Sequence, residues 1–412
     1  MIRITKKSII ISIIAVTVIV LLFILVFFEF NSNPLFMSSE MSYASTFGGF
    51  SSEGIITKNE EHYIWFSDFA SSKKVPFCSN PQCLHNSQNC FAFDMNRKLI
   101  NEGVSLLTLH DGVIYYTKTV FDRHTDHQYS IEVYSVNIDG SGTRKISTLD
   151  GYINSILMYI VDGKIIIYLD IYDDSIWDTD VINDSERMIN RTFVSVDIKS
   201  GTFWVFPVKQ GYGLSLDYAG YYNGIFYYTS TYTIEALNDN DSRTVYREKM
   251  RQTLWAANII NKSENIIEQF SNPQSTNIFD MHYFYYTDNH LAHIVIQAST
   301  KQTVFNVYDT ISSELRYIKT FSLETYGTPN NTTFWQGEWL IFTNHESRNN
   351  TAFNIITQEI VSIDQFYEYN FFATVGDRFV LVTMENNELL YLWITIDDFI
   401  TNKGNISAFT KG

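Results

Sequence analysis

Seven short stretches of the chain carry consecutive β-branched and aromatic side chains bounded by turn-forming residues: 62–66, 112–116, 163–168, 224–228, 282–286, 338–342 and 377–382. Measured between Phe66, Tyr116, Tyr168, Tyr228, Tyr286, Phe342 and Val382, the steps are 50, 52, 60, 58, 56 and 40 residues. Each is followed by a polar stretch and then by two alternating runs that meet at a tight turn. The clearest are 131–139 into 143–146 across Gly140-Ser141-Gly142, and 193–198 into 202–206 across Lys199-Ser200-Gly201. The runs 254–259, 304–308 and 352–356 lead in the same way into 265–268, 315–318 and 359–363. Period-two alternation broken by Gly, Ser, Asn and Asp predicts hairpins. Four-stranded propeller blades recur about every 40–50 residues. The pattern therefore predicts an all-β, seven-bladed β-propeller, with the aromatic stretch as the first strand of each blade and six or eight blades as the alternative counts. A pair of β-sandwiches would supply short strands too, but not the same turn, strand, loop and hairpin order seven times. No segment of this region keeps a 3.6-residue apolar spacing.

A different pattern precedes it. Residues 9–28 hold twenty amino acids without a charge, with Arg3, Lys6 and Lys7 before them and Glu29 after. At about 1.5 Å per residue such a run spans the hydrocarbon core as a helix. Basic residues on the N-terminal side alone place that end in the cytoplasm and the rest outside. A cleaved signal peptide would have a shorter apolar region and small residues at its end, whereas this run closes on Phe27-Phe28-Glu29-Phe30. A buried core helix is the plainer alternative. The expected plan is a cytoplasmic tail (1–8), a single transmembrane helix (9–28), a linker (29–45) and an extracytoplasmic propeller (46–412), a single-pass protein of the cell membrane.

Composition narrows the partners. The 412 residues carry 45 acidic against 29 basic side chains, a net charge of −16, which argues against nucleic acid, whose phosphates demand a basic face. Apolar residues at 45% and charged ones at 18% suit a large folded core. With 27 Tyr and 31 Phe but 6 Pro, the bias is toward strands.

All three cysteines fall within thirteen residues, as Cys78, Cys83 and Cys90, with His85 between the last two. Three thiolates and one imidazole are the number and kind of donors that close a tetrahedral zinc site. Pro76 and Pro81 stiffen the loop and reduce the entropy lost on wrapping an ion. With all four positions filled by protein, one such zinc would be structural. Outside the membrane thiols also oxidise, so a disulfide with one cysteine left over is the competing reading, and unreactive thiols a third.

The segment 75–90, the turn 137–142, the export anchor and the aromatic strands resemble TolB-like propeller repeats. More specifically, the chain from about residue 46 is similar to the DUF5050 family of low-density-lipoprotein-receptor-related β-propeller-like proteins, common in anaerobic Gram-positive bacteria. The resemblance implies a propeller outside the cytoplasm and assigns no activity.

Weaker groupings read as loops. Asp170, Asp173, Asp174, Asp178, Asp180, Asp184 and Glu186 form an acid run without the glycine that a calcium loop needs at its bend. His124 and His127 lie in a polar connection, as does the 238–242 stretch, and His290 and His293 are spaced to fall on opposite faces of a strand. No Gly-x-Ser-x-Gly elbow, His-Glu-x-x-His or phosphate loop occurs, and no catalytic residue is assigned. The leading functional reading is a membrane-anchored binding or scaffolding module at the cell envelope, engaging a protein, peptide or glycan on a propeller face or in its channel. The alternative is a propeller hydrolase or lyase acting on a glycan or peptide. A third is a sensor, which with eight cytoplasmic residues would need a partner.

Overall fold

Strands laid side by side in chain order make up nearly all of what the computed structural model describes. It covers residues 35–411 with breaks, the longest at 96–103, 122–128, 172–187, 237–248, 272–279 and 327–333. The apolar run 9–28, the tail before it, His124, His127, the acids from Asp173 to Glu186 and the 238–242 stretch lie outside the described residues. Among the described residues no helix is long and apolar enough to cross a membrane.

The strands form seven successive antiparallel units of four. The first is Gly48–Phe50, Gly54–Lys58, Ile64–Asp68 and Lys73–Pro76; the second is Val104–His110, Val113–Phe121, Tyr129–Asn137 and Arg144–Asp150. The third comprises Ile153–Val161, Lys164–Ile171, Met188–Asp197 and Phe203–Val205, the fourth Lys209–Tyr222, Ile225–Thr233, Met250–Asn258 and Ser263–Ser271. The fifth is Asp280–Thr287, His290–Gln297, Gln302–Asp309 and Leu315–Ser322; the sixth Phe334–Gln336, Trp339–Asn344, Asn349–Asn354 and Ile360–Ile363; the seventh Asn370–Val375, Arg378–Glu385, Glu388–Thr395 and Ser407–Ala408. Two short helices, Leu323–Tyr326 and Ile396–Ile400, follow the fifth unit and interrupt the seventh.

Local chemistry sets the turns. Between first and second strands of the second, third and fourth units sit Asp111-Gly112, Asp162-Gly163 and Asn223-Gly224, with φ of 50 and 71, 48 and 67, and 49 and 76 degrees. Two consecutive left-handed residues make a turn whose twist matches the flanking strands, and Asp-Gly and Asn-Gly adopt it most cheaply.

The sequence leads one to expect first strands at the aromatic stretches, but most of them are not first strands. Those at 112–116, 163–168, 224–228, 338–342 and 377–382 fall in second strands, the one at 62–66 in a third and the one at 282–286 in a first. A second strand is flanked on both edges and covered on both faces, so it is the most uniformly apolar; residues Ile165–Leu169 are all buried. The second strand of the fifth unit is also buried from His290 to Ile296, but two histidines break its apolar signature.

The chain's ends do not stay with their neighbours. Leu35–Met37 runs parallel to Asn370–Val375 of the seventh unit, and Thr410–Lys411 parallel to Lys73–Pro76 of the first. Ser42–Ser45 lies between Ile153–Val161 and Gly48–Phe50, antiparallel to both. Leu35–Met37 also touches Lys209–Tyr222 and Phe334–Gln336, and Ser42–Ser45 touches Val104–His110. The expected linker over 29–45 is thus in part structural: from Leu35 onward it supplies strands against the first strands of six units. Each first strand begins its four-stranded unit, and unpaired backbone groups along such an edge are costly unless another strand meets them.

The 14-residue strand Lys209–Tyr222 joins two units. Its first four residues pair with Met188–Asp197, and from Tyr212 on it pairs with Ile225–Thr233. The change of partner falls at Gly213, whose φ is 57 degrees. Cores lie between neighbouring sheets. The largest holds Phe193, whose ring centroid is 5.2 Å from Tyr168 and 5.0 Å from each of Phe226 and Tyr228.

Candidate metal centre

The connection from the first unit to the second carries the Cys/His group. It begins where Phe77 donates its backbone N–H to the Ile64 carbonyl at 2.9 Å. Phe77 is buried, with its ring centroid 5.3 Å from that of Phe66 and 6.1 Å from that of Phe91. Further along, the Asp94 N–H bonds the Cys90 carbonyl at 2.9 Å, and Cys90, Ala92 and Met95 are buried in the same core as Phe77. Both ends of the loop are therefore pinned by apolar burial, which brings Cys78 and Cys90 together although eleven residues separate them.

The ligand atoms of Cys78, Cys83, His85 and Cys90 all lie within 4.8 Å of one another. The His85 Nδ1 is 3.3 Å from the Cys90 Sγ, and the His85 backbone N–H donates to the Cys83 Sγ at 3.4 Å. His85 reaches this position with a φ of 53 degrees, a left-handed conformation uncommon for a residue with a Cβ. A zinc–sulfur bond of about 2.3 Å sets ligand separations of roughly 3.8 Å in a tetrahedron, so the donor set fits a single ion with small side-chain adjustment. The backbone N–H of His85 lowers the Cys83 pKa, opposed by desolvation and aided by the thiols of Cys90 and Cys78. The closeness of the four donor atoms is consistent with a shared metal ion. All four residues singled out from the sequence converge.

Other polar groupings differ from sequence expectation or were invisible to it. His290 and His293 are both buried, and the Nη1 of Arg316, which also pairs with Asp309, lies 2.7 Å from the His290 Nε2. Asp170, first of the acid run, is in a sheet and pairs with Arg191 at 2.5 Å. Ser42 Oγ and His110 Nδ1 are 2.9 Å apart, with His110 Nε2 3.7 Å from Asp111. That grouping has the residue types of a nucleophile and base, with Ser42 buried at 2% exposure. Burial lowers the His110 pKa, against the pull of Asp111 and Glu53. Sequence reasoning also missed the fourth unit's charged cluster, in which Lys209 pairs with Glu264, 55 positions away. Partners that far apart leave no local signal.

No protein-family model matches the chain, and no curated protein matches it. Among solved structures, an acylaminoacyl peptidase of Pyrococcus horikoshii is 10% identical with a TM-score of 0.46, over 76% of this chain and 46% of that one. An oligogalacturonate lyase in complex with manganese is 10% identical with a TM-score of 0.43, over 87% and 91%. Dipeptidyl peptidase 4 of Porphyromonas gingivalis is 10% identical with a TM-score of 0.42, over 90% and 53%. The chain thus spans less than half the length of the first of these. Likeness of this degree assigns neither fold nor activity, and the architecture described above rests on strand pairing alone.

Proposed function

We propose that the chain is a seven-bladed β-propeller of the DUF5050 type, tethered to the cell membrane by residues 9–28, that serves outside the cytoplasm as a binding or scaffolding module. The observation that carries the ring is the strand plan: seven successive four-stranded units, with Leu35–Met37 paired into the last and Thr410–Lys411 into the first. Such cross-stitching has a physical reason in a ring, where it joins the last blade to the first. Radial repetition also limits exposed edges, which keeps many short strands soluble. One zinc held by Cys78, Cys83, His85 and Cys90 supplies the structural clip between the first two blades. When bound it provides cross-linking and no open coordination position.

Binding falls on the faces of the ring. The first strands of six units are in contact with Leu35–Met37 and Ser42–Ser45, so in the proposed ring these segments fill the centre and a ligand meets connections instead. The acidic balance favours cations, peptides or neutral glycans. Elemental analysis of the full chain in detergent is expected to give one zinc per chain, lost in Cys83→Ser. Absence of metal together with a Cys–Cys cross-link in mass spectra would overturn the clip. Incubation of the same preparation with defined peptides and neutral glycans separates the functions: retention without conversion supports the module, and turnover favours a hydrolase or lyase.

A further inference from the structure

The direction of each strand at the centre fixes which end of the ring receives the N-terminal tether. Leu35 pairs with Ala373 and Met37 with Val375, so this segment runs the same way as the first strand of the seventh unit. Ser42–Ser45 runs the opposite way. Ser42 then pairs with Ile160 and Ala44 with Met158, and Tyr43 pairs with Phe50 and Ser45 with Gly48. The path is therefore in, back, and in again along the first strand of the first unit. In a ring the first strands run alike, and the chain enters at the end where they begin.

In a four-stranded meander that end also receives the connections between second and third strands and those between units. The Cys78–Cys90 loop, between Lys73–Pro76 and Val104–His110, is one of them. The other end receives the first-to-second turns Asp111-Gly112, Asp162-Gly163 and Asn223-Gly224 and the third-to-fourth turns, of which 198–202 is one.

Six residues, 29–34, separate the apolar run from Leu35. Fully extended, they reach about 20 Å. We infer that the entry end of the ring, with the Cys/His loop, faces the lipid headgroup layer at close range, and that the end built from tight turns faces outward and presents the ligand surface. The inference rests on the anchor and propeller readings above. Leu35 pairs with Ala373, three residues inside the start of Asn370–Val375, so about 10 Å of the tether is taken up within the ring, and leaving by the other end would require the chain to reverse immediately before Leu35.

The test uses the full chain in liposomes carrying headgroup-quencher lipid. A fluorescent side chain is introduced at Thr300 or at Glu314, exposed positions that bracket the strand Gln302–Asp309 of one unit. Strong quenching at Thr300 and weak quenching at Glu314 is expected, with the contrast abolished when a long Gly/Ser insert follows Phe30. Equal quenching, or the reverse order, in a chain that resists alkaline extraction overturns the orientation alone. Release of the chain by alkaline extraction overturns the anchor, and the orientation with it.

Discussion

The fourth unit offers the sharpest test of how the sheets are held. Lys209 and Glu264 form an ion pair with side chains 10% and 3% exposed. The Lys209 Nζ sits 3.5 Å from the centroid of the Trp255 ring, and Tyr228 donates its hydroxyl hydrogen to Glu264. Desolvation lowers the Lys209 pKa against the pull of Glu264. Replacing Lys209 by Met keeps much of the aliphatic stem and removes the cation. Glu264 is then a buried carboxylate with its counter-ion gone, and breaking such a pair from one side costs about 3–5 kcal/mol. Glu264→Gln leaves the cation over the indole, a contact worth about 2 kcal/mol when desolvated, so that loss is smaller. The double variant replaces both charges and is expected within about 2 kcal/mol of the parent. The two single losses then exceed the double loss by roughly 3 kcal/mol, a coupling that only touching residues produce. Urea unfolding of the chain in detergent, followed by far-ultraviolet circular dichroism and tryptophan fluorescence, measures all four corners. A Lys209→Met loss under about 1 kcal/mol, or simple additivity in the double variant, would refute the burial argument.

Three further outcomes follow from single positions. A Cβ on Gly49 would lie 2.2 Å from the Leu107 carbonyl oxygen and 2.7 Å from the Thr108 Cα; because both are backbone, Gly49→Ala is expected to cost about 3 kcal/mol or more, and an unchanged urea midpoint would show that the first two units do not pack this closely. Tyr168 and Tyr228 are 5% and 1% exposed, and desolvation raises both their pKa values and that of Tyr391, the last to about 12. Their stabilising contribution is intact below about pH 10, where the unfolded phenols are still neutral, and is lost as pH rises through the folded values, by about 1.4 kcal/mol per pH unit for each group between its two pKa values. Lys209 acts in the opposite sense over a neighbouring range, so the net fall in urea midpoint between about pH 9 and about pH 11 is the quantity to measure, and a rise would contradict the assignment. Thr395 caps Ile396–Ile400 by accepting the Asp398 N–H at 3.2 Å, and Thr395→Ala is expected to lose about 1 kcal/mol, read as a lower urea midpoint; no shift would mean that the cap contributes nothing.

What could be read in advance was what the chain writes locally. The third-to-fourth hairpins declared themselves through Gly140-Ser141-Gly142 and Lys199-Ser200-Gly201, because left-handed turns select for residue type. Cys78, Cys83, His85 and Cys90 were legible for the same reason: thirteen residues hold the whole donor set. Second strands such as Lys164–Ile171 stood out because burial on two faces leaves only apolar choices. First strands such as Gly48–Phe50 and Phe334–Gln336 are three residues long, too short for any periodicity to register. The segments that tie the two ends into distant units are the extreme case. Leu35–Met37 and Thr410–Lys411 are held by backbone hydrogen bonds to strands more than three hundred residues away in sequence. A backbone ladder of this kind asks of a side chain only that it not be proline. Pro34 stands immediately before the first of these segments, and Leu35 begins the pairing. Side chains also join the first and last units, with the Phe69 ring centroid 5.9 Å from that of Trp393, but the backbone ladders at the two chain ends depend little on side-chain identity, so the segment beginning at Leu35 reads as a linker in the sequence.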